Sequence, residues 1–291
     1  GAPQRESAQE PRLQAAFCQL SSCVCGGIRR PSLHAGAGER ARLAKYSPRS
    51  HNRTAEEVAL AAIQEDAHGI CLSSYQGGHM EYFTYIRKIL DEKGGEKIKI
   101  FGGGGGVITI DEAKVLEEKG VEKIYTPEDG QSLGLIGIIE DIIKRTPTKE
   151  FNVTQVPQDP FAKVSRHLSF IENQIPQNFF SIEEKPKKTP LVIGLTGTGG
   201  AGKSSLLDEL LLRFLWDFND IKIAALCIDP SKKKTGGALL GDRIRINTCS
   251  DKRIYLRSFA SRDSKNELSI ITEKASEYLK NCGEFDLVFV E

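Results

Sequence analysis

Apolar positions along the chain fall into two alternating spacings from residue 54 onward. Thr54 predicts a helix N-cap with Glu57 three positions on, and Val58, Leu60, Ala61 and Ile63 follow at helical spacing. The apolar run 68–73 predicts a buried strand, and 81–91 predicts a helix with Tyr82, Phe83, Ile86, Ile89 and Leu90 as its apolar positions. A strand over 97–101 runs into five consecutive glycines, 102–106. A helix over 111–119 closes at Gly120, a strand covers 121–125, and an apolar helix covers 132–143. After residue 190 the same alternation resumes: strands over 191–196, 221–228, 254–258 and 285–290, and helices over 203–218 and 266–279. Strands and helices alternating at this spacing predict an α/β chain built as two doubly wound parallel-sheet domains.

Two stretches break the pattern. Residues 1–50, rich in Arg, Ser, Ala and Gly, hold no sustained period and are expected to be an irregular, non-homologous leader; an organellar transit peptide is the second reading of their Arg-rich, acid-poor composition. Residues 146–189 carry Pro147, Pro157, Pro160, Pro176 and Pro186 and predict a linker with one short helix over 161–172. The expected divisions are therefore 1–50, 51–145, 146–189 and 190–291. The start at Gly1 and the stop at Glu291, directly after a strand, are those expected of a piece of a longer protein.

Composition narrows the function classes. The 291 residues suffice for two ordinary domains, and a net charge of +1 supplies no bulk field for nucleic acid or a membrane surface. No apolar run approaches the roughly 20 residues that span a bilayer. The seven cysteines include Cys71 and Cys227 inside apolar strands, and no paired CxxC exists, which fits a reduced, cytoplasmic setting.

The strongest chemical signal is Gly197-Thr-Gly-Gly-Ala-Gly-Lys203-Ser204, which matches GxxxxGK[ST] at every fixed position between an apolar strand and an apolar helix. Its glycines let backbone N–H groups turn inward around phosphates, Lys203 places a cation at the β- and γ-phosphates, and Ser204 offers its hydroxyl to Mg²⁺. Nucleotide contacts are expected from Gly197, Gly199, Gly200, Ala201, Gly202, Lys203, Ser204 and Ser205. Asp229 ends the neighbouring strand and is a candidate for the metal shell, with a helix or turn cap as the plainer role. The polar, glycine-bearing loop 232–246 has the composition a nucleotide switch needs, and strand 285–290 delivers Glu291 as a Walker-B-type carboxylate.

The run 226–247, LCIDPSKKKTGGALLGDRIRIN, resembles the switch region of the G-protein chaperones that serve cobalamin-dependent acyl-CoA mutases. That resemblance implies GTP and Mg²⁺ as ligands, catalytic roles for Lys203 and Glu291, and a metal shell of Ser204, Asp229, Asp242 and Glu291. The family's guanine-reading NKxD segment would lie beyond Glu291, so the preference for GTP over ATP rests on the resemblance alone.

In the first domain the five glycines sit late, after the second predicted strand, which disfavours a dinucleotide fingerprint. Their spacing leaves open whether a ligand or a neighbouring helix approaches the backbone. Ser73-Ser-Tyr-Gln-Gly-Gly-His79 ends the preceding strand, so two loops meet in one crevice. The segments 66–81, 101–108 and 126–130 resemble the flavodoxin-like cobalamin-binding domain of acyl-CoA mutases. A cobalamin domain followed directly by a G domain resembles the family of fused isobutyryl-CoA mutases. The resemblance implies that Ser73, Tyr75, Gly104, Gly105 and Gly106 line the cobalamin nucleotide tail. The family's DxHxxG motif is absent: His34 has Ser32 where the Asp belongs, so no cobalt ligand is assigned, and His79 is expected to be scaffolding.

The implied function is part of an adenosylcobalamin-dependent isomerase that interconverts isobutyryl-CoA and n-butyryl-CoA, with a fused GTP-hydrolysing chaperone domain. Acyl-CoA would bind through a barrel outside these residues, which would leave this chain inactive as a mutase, and the parent would be a homodimer. The alternative is a non-catalytic cobalamin carrier or sensor fused to a G-protein chaperone. A plain P-loop NTPase with a degenerate first domain is the third reading.

Overall fold

A computed structural model of the chain describes residues 54–74, 77–146, 157–172, 189–229, 243, 246–260 and 265–291, with the backbone alone at 23–29, 42–44, 229, 260 and 265–268. The first sheet contains β1 (Cys23–Arg29), β2 (Arg42–Ala44), β3 (Gly69–Ser74), β4 (Lys99–Gly103) and β5 (Lys123–Tyr125), in the order β2-β1-β3-β4-β5. Strands β3, β4 and β5 run parallel, with Gly69 opposite Lys99 and Phe101 opposite Lys123. Strand β1 lies antiparallel on β3, pairing Cys23 with Ser74 and Ile28 with Gly69, and β2 lies antiparallel on β1. Two strands therefore come from the stretch expected to be irregular. Strand β1 runs against the parallel core and covers the border of β3 that would otherwise stand unpaired, and β2, on the far side of β1, runs in the direction of β3 again.

Helices α1 (Ala55–Gln64), α2 (His79–Glu92), α3 (Ile110–Glu118) and α4 (Pro127–Arg145) wrap this sheet. Alternation along the strands divides its two faces: Ile70, Leu72 and Ile100 join α1, α2 and α3 in one core, while Cys71 and Phe101 meet Ile142 of α4 on the other. Fully buried Phe83, Ile86 and Leu90 fix α2 in that first core, each contributing roughly 1.5–3 kcal/mol by leaving water. Burial pushes the Cys71 thiol up to about 12, the behaviour of a small core hydrophobe. The Thr54–Glu57 cap forms as a full capping box, and Thr109–Glu112 and Thr126–Asp129 repeat it. The last of these starts α4 at Pro127, five residues before the sequence pattern turns apolar, and α4 kinks at Gly134, whose φ is +63°.

The second sheet contains β6 (Leu191–Gly194), β7 (Ile223–Asp229), β8 (Ile254–Ala260) and β9 (Leu287–Val290), all parallel, in the order β6-β9-β7-β8. Helix α6 (Lys203–Asp217) covers one face through Leu207, Leu211 and Leu215. Helices α5 (Pro160–Glu172) and α7 (Lys265–Asn281) cover the other, through Val164, Leu168, Ala275 and Leu279. The helix expected within a linker is thus part of this core, and its Ala162 also joins the core of the first sheet. No helix among the described residues is long and apolar enough to cross a membrane.

Candidate functional site

The second sheet places β6 beside β9, and both strands point their carboxyl ends at the loop 195–202. Gly200 and Gly202 have φ of +82° and +86°, a conformation that side chains with a Cβ resist, and a Cβ at either would meet nothing within 4 Å. These glycines are required by the turn, and the space above them is open. Gly202 is also the N-cap of α6 and supplies no side-chain cap. The first-turn N–H groups of α6 therefore face the loop without a side-chain acceptor, at the positive end of the helix dipole.

Two side chains complete the turn. Lys203 Nζ donates to Gly197 O at 3.2 Å and Thr198 O at 3.3 Å, so the ammonium lies over the loop it would serve. Ser204 Oγ donates to Glu291 Oε1 at 2.7 Å, across 87 positions of sequence. Glu291 reaches that point because β9 lies between β6 and β7: Leu195 N donates to Val290 O at 2.7 Å and Glu291 N to Leu226 O at 2.9 Å. Its second oxygen, Oε2, is buried with no hydrogen-bond partner among the described residues. A buried carboxylate oxygen with an unused lone pair, beside a hydroxyl, fits a hard divalent cation such as Mg²⁺, which takes oxygen ligands.

The other expected metal residues are only partly described. Asp229 ends β7 opposite Ala260, and its backbone alone is described; Asp242 lies outside the described residues. Among the described residues no cluster of three His, Cys, Asp or Glu side chains is spaced to hold a metal. Ser205 is exposed in the first turn of α6, and Ala201 closes the loop by donating to Thr198 O at 3.2 Å. Sequence reasoning did not single out Asp208. Its Oδ1 accepts from Thr248 N at 2.9 Å and Thr248 Oγ1 at 2.8 Å, and Oδ2 accepts from Asn247 Nδ2 at 2.9 Å. Burial raises the Asp208 pKa, but the hydrogen bonds from Thr248 and Asn247 outweigh it and hold the carboxyl below its ordinary value of 3.8. This contact ties α6 to the segment that follows residue 246.

The first domain has a second crevice, at the carboxyl ends of β3 and β4. Helix α2 starts there on Gly78, φ +86°, again with no side-chain cap, as α6 does in the other sheet. The glycine run splits in two. At Gly102 a Cβ would sit 2.4 Å from Phe83 Cε1 and 2.6 Å from Ile124 Cδ1, and at Gly104 it would sit 2.6 Å from Ser74 O. Neighbouring protein accounts for those two. Gly105 and Gly106 are exposed with φ of +54° and +94° and remain open on the crevice rim. Ser73 is half-buried at the end of β3, and Tyr75 lies outside the described residues. His79 is buried at the start of α2, with Nε2 3.4 Å from Glu112 Oε2. A ligand here would meet backbone and small polar groups. That chemistry fits a phosphate-and-sugar tail.

Residues 165–291 match the family model of the methylmalonyl-CoA mutase-associated GTPase MeaB, a match that begins inside α5. The chain is 42% identical over 302 aligned positions to the fused isobutyryl-CoA mutase of Geobacillus kaustophilus, covering 97% of this chain and 27% of that protein. It is 45% identical over 255 positions to the fused isobutyryl-CoA mutase of Cupriavidus metallidurans, covering 83% of this chain and 23% of the relative. The GTPase ArgK of Escherichia coli is 35% identical over 107 positions, covering 35% of this chain and 30% of its own. The likeness expected from the switch run and the crevice loops is therefore present along nearly the whole chain. The chain spans about a quarter of the length of each of these two mutases.

Proposed function

We propose that the loop 197–205 binds GTP with Mg²⁺ and hydrolyses it, as the chaperone half of an adenosylcobalamin-dependent acyl-CoA mutase. The observation that carries this reading is the 2.7 Å contact between Ser204 Oγ and Glu291 Oε1, with Glu291 Oε2 left unpartnered. A serine at the start of the P-loop helix and a carboxylate at the end of the adjacent strand are the two protein groups that hold Mg²⁺ in such a site. Gly197, Gly199, Gly200, Ala201, Gly202 and Ser205 present backbone N–H groups to the phosphates. Lys203 swings from the carbonyls of Gly197 and Thr198 to the β- and γ-phosphates and offsets their charge. Asp229 and Asp242 join Ser204 and Glu291 around the metal or its waters.

The first domain, in this reading, holds the nucleotide tail of cobalamin along Ser73, Tyr75, Gly105 and Gly106, with Gly104, also expected there, packed beneath them against Ser74. Adenosylcobalamin supplies radical chemistry when bound; the chain's own part is to seat the tail and exclude water from the crevice. The parent enzyme interconverts isobutyryl-CoA and n-butyryl-CoA through a barrel outside these residues, works as a homodimer in the cytoplasm, and is gated by GTP. This chain without the barrel is expected to show no mutase turnover. The alternative, a cobalamin carrier or sensor that performs no isomerisation, keeps both crevices and loses only the acyl-CoA step.

Titration of the chain with a fluorescent, non-hydrolysable GTP analogue, with and without Mg²⁺, tests the nucleotide site. Saturable binding that weakens on Mg²⁺ removal supports the reading, and binding unaffected by Lys203→Ala would overturn it. A parallel titration with cobalamin, followed by visible absorbance, tests the first domain; an unchanged spectrum favours a plain P-loop NTPase.

A further inference from the structure

Strand β8 is an outer strand of the second sheet, and the end of α1 lies along its free border. Side chains take the main-chain groups that point out from that border. Gln64 Nε2 donates to Ile254 O at 2.9 Å, and Leu256 N donates to Gln64 Oε1 at 3.4 Å. Ser258 N donates to Glu65 Oε1 at 3.2 Å, and Arg243 Nη2 donates to Leu256 O. Charge surrounds this pairing. Glu65 Oε1 also accepts from Arg243 Nε at 3.0 Å, and Glu65 Oε2 lies 3.9 Å from Arg257 Nε. Arg257 Nη1 donates to the Gln64 carbonyl at 3.1 Å and Nη2 to Glu172 Oε2 at 3.1 Å, while Arg166 of α5 pairs with Asp66 at 3.1 Å. Gln64, Glu65, Asp66 and Arg257 are buried, and Ala162 of α5 adds an apolar contact with the first core.

The two kinds of contact do different things. A free strand border accepts a strand of almost any sequence, because its main-chain groups are the same in every protein. The Gln64 amide satisfies that border without discriminating. The ion pairs discriminate. A buried ion pair adds little over well-packed apolar side chains, whereas a missing partner leaves an uncompensated charge at a large penalty. A different helix end laid on β8 would leave Arg257 without Glu65 and Arg166 without Asp66. Penalising the wrong partner in this way is how a specific interface tells partners apart. The stretch 165–291 that matches the GTPase family model holds Arg166, Glu172 and Arg257, whereas Glu65 and Asp66 come from outside it. One side of the junction therefore belongs to that unit, and the other is brought by the first domain.

We propose that the border of β8 is a recognition surface for the acidic end of a helix, and that Gln64, Glu65 and Asp66 make this second domain select this first domain. The polypeptide between them serves as a tether that raises local concentration, and the two domains hold together without it. This recognition is independent of what occupies either crevice.

Cleavage of the whole chain at a protease site inserted between Pro147 and Pro157, followed by gel filtration, tests this. The two pieces of the otherwise unmodified chain should travel together, both in dilute buffer and at about 1 M salt, where screening sets in beyond roughly 3 Å and surface charges lose their attraction. Glu65→Gln leaves Arg243 and Arg257 facing a neutral amide, and should raise the dissociation constant of the pieces by about tenfold or more. If that variant does not fold, Asp66→Asn and Arg166→Gln supply a second measurement. Each alone should weaken association by about tenfold, and the two together should weaken it less than either, because no charge is then left without its partner. Pieces of the unmodified chain that separate would overturn the proposal. So would variants whose pieces hold together as tightly as the unmodified ones, or losses at Asp66 and Arg166 that simply add.

Discussion

The two crevices share one plan and differ in what fills it. Each is a strand that ends in glycines and feeds an uncapped helix, α6 from Gly202 and α2 from Gly78, while α1, α3 and α4 all start on full capping boxes. Leaving the first-turn N–H groups open suits an anionic or polar ligand at both places. The P-loop then adds an ammonium and a serine–carboxylate pair inside the opening. The first domain spends Gly102 and Gly104 on close packing against Phe83 and Ser74. A site for polyphosphate and metal needs side-chain charge; a site for a large, mostly neutral tail needs room and backbone.

Glycine substitution is the harshest way to break this comparison. Gly102→Ala drives a Cβ into Phe83 and Ile124, and should destabilise the chain by about 1–3 kcal/mol or more, read as a lower urea midpoint. Gly199→Ala meets nothing within 4 Å and should leave the midpoint within about 0.5 kcal/mol of the unmodified chain. Equal losses would mean that the P-loop glycines are also packing residues. Lys203→Ala comes next: losing charge-assisted hydrogen bonds to phosphate should weaken analogue binding by roughly 10–100-fold, with the urea midpoint unmoved. Ser204→Ala removes the hydroxyl proposed to hold Mg²⁺ and its hydrogen bond to Glu291, and should lower affinity by about tenfold with Mg²⁺ and hardly at all without it. The smallest effect belongs to Asp208. Because its folded pKa lies below its ordinary 3.8, its hydrogen bonds stabilise the chain above that pH and are lost as pH falls through the folded value. Asp208→Asn should therefore flatten the acid limb of a stability–pH curve below about pH 4 and leave pH 7 little changed beyond the exchanged hydrogen bonds.

The parts of the fold that could be read in the sequence were those whose signals are local. The Thr54–Glu57 cap, the period of α2 and the GxxxxGK[ST] turn are each complete within a few residues, and the structure contains all three. What escaped reading is assembled across the chain. Cys23–Arg29 has no period because β1 is placed by its pairing with β3. The start of α4 is masked by Pro127 and Gly130, which read as turn residues although Pro is at home in a first helical turn. Phe161 and Val164 suggested only a short helix in a proline-rich stretch, because the core they fill is built mostly from residues 223 onward. Of the nucleotide site, the loop was legible and Glu291 was expected as a Walker-B-type carboxylate at a strand end, while its hydrogen bond with Ser204 emerges only once β9 is placed beside β6. The glycine run of the first domain illustrates the limit. Spacing marks a close approach, but three-dimensional neighbours decide whether protein or ligand makes it.

Gln64 holds the border of β8 with a side-chain amide, whose carbonyl and NH₂ stand where the peptide of one more strand would stand. Its grip depends on helical phase. Inserting a single residue in α1 would turn the amide by about 100° around the helix axis and leave the border bare. The length of that helix is accordingly fixed to the residue by an adjoining domain, and a bare border of this kind is where a strand from another molecule would attach.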